Sequence, residues 1–140
     1  MVKNLSYNSK KIKTLLTEVV GRPLSLNERF KLRGIGSNKL VITDASKEIV
    51  ELLRLDNNIN YCNIEIRKNG IIIRFRSLLE TYGLIIPFYK LVIYKGESKI
   101  YSFYKDRHYV KCFVDNQSST TFIKKVIRLK TVYLKKMGLN

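Results

Sequence analysis

Residues 60–76 read NYCNIEIRKNGIIIRFR, and this stretch decides the fold of the chain. Ile64 and Ile66 alternate with charged residues, which is the period of two that marks a half-buried strand. Asn69-Gly70 then separates this run from a second apolar run, and this dipeptide is the strongest short hairpin signal because both residues tolerate positive φ. The stretch therefore predicts two antiparallel strands joined by a two-residue turn at Asn69-Gly70.

The partners that such a turn sets opposite each other support the prediction. Two apolar pairs fall on one face of the hairpin and a pair of opposite charge falls on the other face, which is the pairing that stabilises antiparallel strands. The expected pairs are Ile66 with Ile73, Ile64 with Phe75, and Glu65 with Arg74.

A second hairpin is predicted where Ile100–Tyr104 and Tyr109–Val114 flank Asp106-Arg107. Pairing residue 103 with 110 and residue 101 with 112 sorts the side chains onto two faces. One face holds Tyr101, Phe103, Val110 and Cys112; the other holds Ser102, Tyr104, Tyr109 and Lys111. Between the hairpins, residues 82–94 are interpreted as one strand that bends at Pro87, because proline cannot donate to a ladder.

The residues before 59 carry mainly helical signals. Apolar residues at positions 12, 15, 16 and 19 recur at helical spacing, with Asn8 or Ser9 as the N-cap and Gly21 as the stop. Ser25-Leu26-Asn27-Glu28 has the form of a capping box and predicts a short helix to about Leu32. A strand over residues 24–33 is the alternative.

A short strand and a third helix are expected next. The strand is Leu40–Ile42, and the helix begins at a cap formed by Thr43 or Asp44. Its buried residues are Ile49, Leu52 and Leu53, and it ends at Asp56-Asn57-Asn58.

The C-terminal segment predicts one long amphipathic helix, capped by Ser118 or Ser119 and running to about Lys136. Its apolar stripe consists of Phe122, Val126, Leu129, Tyr133 and Met137, with Ile123, Ile127 and Leu134 beside them. Lys124, Arg128 and Lys135 lie opposite this stripe. The helix is therefore expected to pack on the sheet with one face and to present a basic ridge with the other.

Together these elements predict an α+β fold. N-terminal helices and one long C-terminal amphipathic helix would cover a curved antiparallel sheet of about five to seven strands. Residues 1–58 are expected to form a helical segment that packs on the sheet of residues 59–140, within one compact domain.

The order of elements from residue 60 onward resembles that of the bacterial pleckstrin-homology-like (PH-like) domain. Ile86-Pro87-Phe88-Tyr89-Lys90-Leu91 stands where such domains often carry an I-P-Y-x-x-I box. The resemblance covers residues 60–136 and implies seven curved strands capped by a helix, with some strands short or supplied by Leu40–Ile42. It implies binding rather than catalysis, and no ligand residues carry over because the bacterial members share none. The same order is also similar to that of small uncharacterised basic bacterial proteins.

The charge of the chain indicates the kind of partner. There are 27 Lys and Arg against 11 Asp and Glu, which gives a net charge of +16 on 140 residues. Such an excess costs self-repulsion in the compact state, and a bound polyanion would offset it. Residues 118–140 hold six basic residues and no acidic residue, so this segment is the best candidate for an anion-contacting surface. A compositional bias without a ligand is the alternative.

Signals of catalysis and metal binding are weak in this sequence. His108 is the only histidine, and its place beside Asp106-Arg107 is more typical of a solvated turn than of a general base. Cys62 and Cys112 form no C-x-x-C and cannot complete a zinc site with one histidine. Both are expected to be buried and reduced, with a disulfide or a reactive thiol as the alternative. We therefore expect no enzyme, no metal and no cofactor.

One glycine-containing loop resembles a phosphate-binding loop. It is Gly34–Lys39, and it lacks the form G-x-x-x-x-G-K-[ST]. A helix end followed by a turn is the better interpretation, although Arg33, Ser37 and Lys39 could contact a phosphate from it.

The N-terminus has no long apolar run of the kind found in a signal peptide, and no stretch approaches the roughly 18–20 apolar residues that span a bilayer. We expect a cytoplasmic protein with no transmembrane segment, in which thiols stay reduced.

Three groups of side chains are candidates for contacting a polyanion. The arginines of the first hairpin would form a platform for phosphates, with a solvated sheet face as the alternative. The second hairpin interleaves tyrosines with cations that could stack bases, although cross-strand tyrosines also simply stabilise hairpins. The third group is the ridge of the last helix. The candidates are Arg67, Arg74, Arg76, Tyr104, Lys105, Arg107, Tyr109, Lys111, Lys124, Arg128 and Lys135.

The sequence favours a non-enzymatic binding module for a polyanion, with nucleic acid the first partner expected. The alternative is a PH-like module that engages an anionic membrane surface or a protein partner. A second alternative is a structural or interaction protein without a polyanion ligand. Tyrosines clustered with cations on one exposed face would favour nucleic acid, whereas a basic rim beside exposed apolar side chains would favour a membrane.

Overall fold

The computed structural model of the protein describes residues 2–7, 9–55 and 59–139, and four helices and eight strands follow one another within them. In chain order these are β1 (Val2–Asn4), α1 (Lys10–Val20), α2 (Leu26–Leu32), β2 (Leu40–Ala45), α3 (Lys47–Leu53), β3 (Tyr61–Arg67), β4 (Gly70–Ser77), β5 (Glu80–Pro87), β6 (Leu91–Lys95), β7 (Ile100–Lys105), β8 (His108–Phe113) and α4 (Gln117–Lys136).

All eight strands belong to one open antiparallel sheet with the order β1-β5-β4-β3-β2-β8-β7-β6. β2 joins the two halves of this sheet, since it pairs with β3 along one side and with β8 along the other. The ladder between β2 and β8 shifts register between Ile42 and Asp44, which is a bulge of the kind that bends a strand. The predicted α+β fold with a long C-terminal helix is confirmed.

The sheet has more strands than the five to seven that were predicted. β1 is only three residues long, too short to show a pattern in the sequence, and it pairs with β5. Residues 82–94, interpreted as one bent strand, belong to two strands because Pro87 ends β5 and a turn over residues 88–90 leads into β6. Residues 1–58 therefore supply β1 and β2 to the sheet as well as three helices.

The first hairpin forms, but its predicted register is wrong by two residues. Lys68-Asn69 make the turn, so that Arg67 pairs with Gly70 and Ile66 with Ile71. A shift of two keeps every side chain on its predicted face, because side chains alternate along a strand with a period of two.

Gly70 explains why the register differs. It lies in β4 rather than in the turn, and its φ falls outside the left-handed region. A Cβ atom at Gly70 would lie 2.7 Å from Val20 Cγ1 and 2.8 Å from Pro87 Cα, and closer still to the carbonyl oxygen of Ile86. The position therefore requires glycine because α1 and β5 approach the backbone closely, not because the chain turns there.

The second hairpin has the predicted register. Phe103 pairs with Val110 and Tyr101 with Cys112 around a turn at Asp106-Arg107. The side chains expected on the buried face are at most 7% exposed. Ser102, expected on the opposite face, is also buried at 3% exposure, so that face is only partly open to solvent.

The starts of the first two helices follow the predicted chemistry. Ser9 caps α1 by accepting the N–H of Ile12 at 3.1 Å, and Gly21 ends the helix with a φ of 86°. Asn8, the other predicted cap, lies outside the described residues. Ser25 and Glu28 make both bonds of the capping box, so α2 replaces the alternative strand over residues 24–33.

The third helix begins later than predicted. Its N-cap is Ser46 rather than Thr43 or Asp44, because those two residues extend β2 beyond Ile42. Its predicted end at Asp56-Asn57-Asn58 lies outside the described residues.

The last helix begins earlier than predicted, at an N-cap formed by Asn116 whose side chain accepts the N–H of Ser119 at 2.8 Å. Its predicted end at Lys136 is confirmed. Within the described residues, no helix is both long and apolar enough to cross a bilayer.

Two apolar clusters hold these elements together. The larger cluster covers one face of the sheet and is closed by Phe122, Ile123 and Val126 of α4. The smaller cluster lies on the opposite face of β4 and β5, where α1 covers Ile72 and Ile85. Both faces of the sheet are therefore buried around residues 71–73 of β4 and 84–86 of β5, which explains why these two runs are apolar without alternation.

Cys62 and Cys112 lie in the larger cluster as free thiols, with exposures of 1% and 0%. Their Sγ atoms are 3.4 Å apart. This contact, together with burial, raises the pKa of the Cys62 thiol well above its usual range. The expectation that both cysteines are buried is confirmed.

Replacing Gly70 by alanine is expected to destabilise the protein by about 2 kcal/mol, because backbone atoms of β5 cannot move away from the added methyl group. Chemical denaturation measures this difference. Gly96→Ala is the matched control, since a Cβ there meets no atom closer than 3.6 Å. Equal stability of the two variants would show that Gly70 is not a close-packing position.

Acid is expected to weaken the start of α2 through Glu28. The bond from Arg22, followed by the bond from the backbone of Ser25, lowers the pKa of Glu28 to about 2. Because the pKa is lower in the folded state than the unfolded value of about 4.3, the ionised carboxylate stabilises the fold. This contribution is complete above about pH 5 and is lost as the pH falls towards 2.

Glu28→Gln should therefore differ most from the parent protein in free energy of unfolding near neutral pH, with the difference shrinking below about pH 4. Glu18→Gln on α1 removes the same charge from an exposed position without a salt bridge in the described residues. If both variants showed the same pH dependence, the effect would belong to net charge rather than to the capping box.

Candidate anion-binding cleft

A cleft of about 590 Å³ opens between residues 31–38 and the first half of α4. Five cationic side chains line it, and no acidic residue is among the described residues that form its walls. The cations are Lys31, Arg33, Lys124, Lys125 and Arg128. We call this site the basic cleft. Clefts lined by charges of one sign focus the electric field, so this arrangement favours an anion over a cation.

The first wall is built where α2 ends. Arg33 has a left-handed φ of 58° and Gly34 a φ of 103°, so the chain leaves the helix abruptly. Residues 35–37 then run beside β3: the carbonyl of Ile35 accepts the N–H of Ile66 at 2.7 Å, and Ser37 N–H donates to Ile64 at 2.9 Å. Backbone bonds to the sheet therefore fix this wall.

The second wall is the solvent side of α4. Lys124, Lys125 and Arg128 share this side because residues four apart lie one turn from each other. The buried side chains of Phe122 and Val126 fix the rotation of the helix on the sheet. The spacing of these cations is therefore set by core packing.

Lys125 connects the two walls. Its Nζ donates to the carbonyl oxygen of Gly34 at 3.0 Å and lies 5.4 Å from the ring centroid of Phe122. Partial burial, and then the charge of Arg128, lower the pKa of Lys125. An anion in the cleft would oppose both effects, because a nearby negative charge favours the protonated amine.

Neutral hydrogen-bonding groups complete the lining, namely Ser37, Asn38, Ser118 and Thr121. Asn38 Nδ2 donates to Ser118 Oγ at 3.3 Å, which ties the first wall to the start of α4. The positive end of the dipole of this 20-residue helix lies at the same end of the cleft. Hydroxyl and amide donors beside cations are the groups that commonly bind phosphate oxygens.

Of the eleven polyanion candidates, two line this cleft, namely Lys124 and Arg128. Arg33 and Ser37, which were expected as possible phosphate contacts of the glycine-containing loop, line it as well. Lys135, the third member of the predicted ridge, is exposed near the end of α4, about two turns further along the helix. The structure therefore brings the predicted helix ridge together with the loop before β2, but only over its first half.

The arginines of the first hairpin have different environments. Arg67 is 8% exposed, and it donates to Glu65 at 2.6 Å and to the carbonyl of Gly21 at 3.3 Å. Arg74 also donates to Glu65. Burial of Glu65 acts to raise its pKa, but its bonds and attraction to the two arginines outweigh burial, so that the pKa is lowered. Arg76 is exposed on the same side of the sheet.

The tyrosines of the second hairpin pair with each other. The ring centroids of Tyr104 and Tyr109 are 5.3 Å apart, and Lys111 Nζ lies 5.6 Å from the ring centroid of Tyr109. Both rings are half-buried. Lys105 ends β7, and Arg107 is exposed in the turn that follows. These residues form a group on β7 and β8 that includes none of the residues of the basic cleft.

Sequence reasoning missed Lys31 and Lys125 as site residues. Lys31 precedes the glycine-containing loop, and Lys125 lies between the predicted ridge and the apolar stripe of α4. The signal for the loop was present, since Arg33 and Ser37 were recognised as possible phosphate contacts. Nothing in the sequence indicated that this loop faces α4.

Comparisons with known proteins give no relative: no family model matches the chain, and no curated protein or solved structure is significantly similar to it.

Glu65→Ala is expected to destabilise the protein by about 3 kcal/mol, because it leaves the buried guanidinium of Arg67 without its partner. Thermal or chemical unfolding measures the change. Lys90→Ala serves as the control, since the Lys90–Asp106 pair is exposed and should contribute less than about 1 kcal/mol. A loss at Glu65 no larger than the control loss would argue against a structural role for these arginines.

Proposed function

We propose that the protein is a non-enzymatic cytoplasmic binding module for a polyanion, with nucleic acid as the expected ligand, and that phosphates bind in the basic cleft. The observation that carries this proposal is the convergence of five cations, without a carboxylate among the described lining residues, on one fixed cleft. Lysine and arginine supply the phosphate contacts that dominate the affinity of nucleic-acid-binding proteins.

The electrostatics of the cleft support a ligand of high negative charge. Two like charges repel each other by about 1 kcal/mol at 4 Å in water and by more where water is excluded. Repulsion among the cleft cations therefore opposes folding. A bound phosphate chain would convert the repulsion into attraction and would release the counterions that the chain had condensed.

The distribution of charge supports an extended ligand rather than a single small anion. Exposed cations lie beyond the cleft as well, among them Lys135 further along α4 and Arg107 in the turn between β7 and β8. The whole chain carries +16, so attraction acts at distances where individual contacts are not yet formed. A nucleic acid, which repeats its phosphates, can use several of these groups together.

The architecture supports a PH-like scaffold, which is part of this proposal. Seven antiparallel strands, β2 to β8, precede the C-terminal helix. Six of them lie after residue 60, and β2 (Leu40–Ala45) is the additional strand. Residues 86–91 span the end of β5 and the turn into β6. A PH-like module that engages a protein partner or an anionic lipid is the alternative function for this scaffold.

The test is titration of labelled single-stranded and duplex nucleic acid between about 50 and 200 mM salt. The logarithm of the affinity should fall linearly with that of the salt concentration, by about 0.7 per contacted phosphate for single strands and about 0.9 for duplex. Lys124→Glu with Arg128→Glu should weaken binding at least about tenfold at low salt and reduce the slope by about one per lost contact. All sequences should be affected alike, because phosphate contacts carry no sequence information.

Lys10→Glu with Lys13→Glu is the matched control. Both side chains are exposed on α1, which covers the opposite face of the sheet, and the change in net charge is the same. The stability of both variants should stay close to that of the parent protein. Absence of binding by the parent at low salt, or an equal loss in the two variants, would reject the basic cleft as the site.

A further inference from the structure

The turn between β4 and β5 departs from ordinary turn chemistry. Ser77 pairs with Glu80, so the loop consists of Leu78 and Leu79 alone. Leu78 has a φ of 57°, and the two side chains are 56% and 88% exposed. Two-residue hairpin loops normally place glycine, asparagine or aspartate where φ is positive, because a larger side chain is strained there.

This strain is not offset by burial. An exposed leucine gains nothing from the hydrophobic effect, and Gly or Asn at position 78 would remove the conformational cost. Residues kept in a disfavoured conformation without a benefit to the fold point to a function at that position.

Another exposed apolar side chain lies beside this turn. Ile59 (66% exposed) lines the same groove as Leu78 and Leu79. The hydroxyl of Ser77 donates to the carbonyl of Leu52, which brings the end of α3 to the turn. We call Ile59, Leu78 and Leu79 the apolar tip.

Cations surround the apolar tip. Arg76 and Lys39 are exposed in the groove that Leu78 and Leu79 line, and Arg54 is exposed at the end of α3. Arg74, also in the groove, is paired with Glu65. Glu80 is the carboxylate next to the turn, and it accepts bonds from Asn4 at 3.3 Å and Tyr7 at 3.4 Å. Among the residues that the structure describes, Lys39, Arg54 and Arg76 form no salt bridge, so this part of the rim is positively charged.

We propose that the apolar tip inserts into the interfacial layer of an anionic lipid bilayer, with the rim cations at the level of the lipid phosphates. Leucines enter the boundary between headgroups and acyl chains, while arginine and lysine extend their charged ends to the headgroups. Anionic lipids attract each of these cations when it comes near the surface. A nucleic acid in water offers no apolar phase that would take up Leu79, so this surface fits a different partner from that of the basic cleft.

The experiment is sedimentation of the full chain with vesicles of phosphatidylcholine alone or mixed with phosphatidylserine. Binding is expected to the anionic vesicles and to be much weaker with the neutral ones. Leu78→Gly with Leu79→Ser should reduce the affinity for anionic vesicles about tenfold or more, because two leucines no longer insert. The variant should fold at least as well as the parent, since glycine relieves the positive φ at position 78.

Val92→Thr with Tyr94→Thr is the matched control, since it removes two side chains that are 55% and 63% exposed on β6. It should leave vesicle binding unchanged. Arg76→Glu should weaken binding to anionic vesicles without affecting the weak binding to neutral ones.

The proposal would be overturned if the parent protein did not sediment with anionic vesicles, or if the Leu78→Gly/Leu79→Ser variant bound them equally well. The test is separate from that of the basic cleft. The Lys124→Glu/Arg128→Glu variant should lose nucleic-acid binding, but its binding to anionic vesicles should still require Leu78 and Leu79. The Leu78→Gly/Leu79→Ser variant should keep its affinity for nucleic acid. A loss of vesicle binding caused by the cleft variant alone would assign the lipid contact to the cleft and reject the apolar tip.

Discussion

The double pairing of β2 is the constraint on which the rest of the structure depends. β2 holds β3 on one side and β8 on the other, and without it the sheet would separate into two groups of strands. The basic cleft depends on the same ladders. One wall runs along β3 immediately before β2, and the other wall is the helix that follows β8. The hydrogen bonds that join β3, β2 and β8 therefore hold the cations of the two walls close together, although these like charges repel each other.

Local signals in the sequence were sufficient for much of the fold. The capping box at Ser25, the stop at Gly21 and the register of the second hairpin each depend on residues close in sequence, and all three were predicted correctly. The register of the first hairpin depends on distant atoms. Asn69-Gly70 carries turn chemistry, yet Gly70 is needed because Val20 and β5 pack against it. A tertiary contact of this kind leaves no mark in the local pattern.

The candidate site could be predicted only in part, for a related reason. A basic ridge on the last helix follows from periodicity, so Lys124 and Arg128 were identified. Lys31 and Arg33 lie across the cleft from them because residues 35–37 run along β3. Neither the composition nor the spacing of the sequence predicts this path. The bond from Arg67 to Glu65 was not predicted either, because the cross-strand pairing assigned Arg74 as the partner of Glu65.

The larger apolar cluster and α1 cover the two faces at the centre of β4. Different parts of the sheet therefore unfold locally at different free energies. Solvent reaches the amides at the centre of β4 only after α1, the larger apolar cluster and two ladders have all been disrupted, so their hydrogen exchange follows global unfolding. β6 is an edge strand held by a single ladder, with Leu91 as its buried side chain, and it is expected to open at a lower free energy. Under mild denaturation the sheet therefore frays from β6 towards β8. The helix wall of the cleft, which follows β8, loses its support while the centre of β4 is still protected.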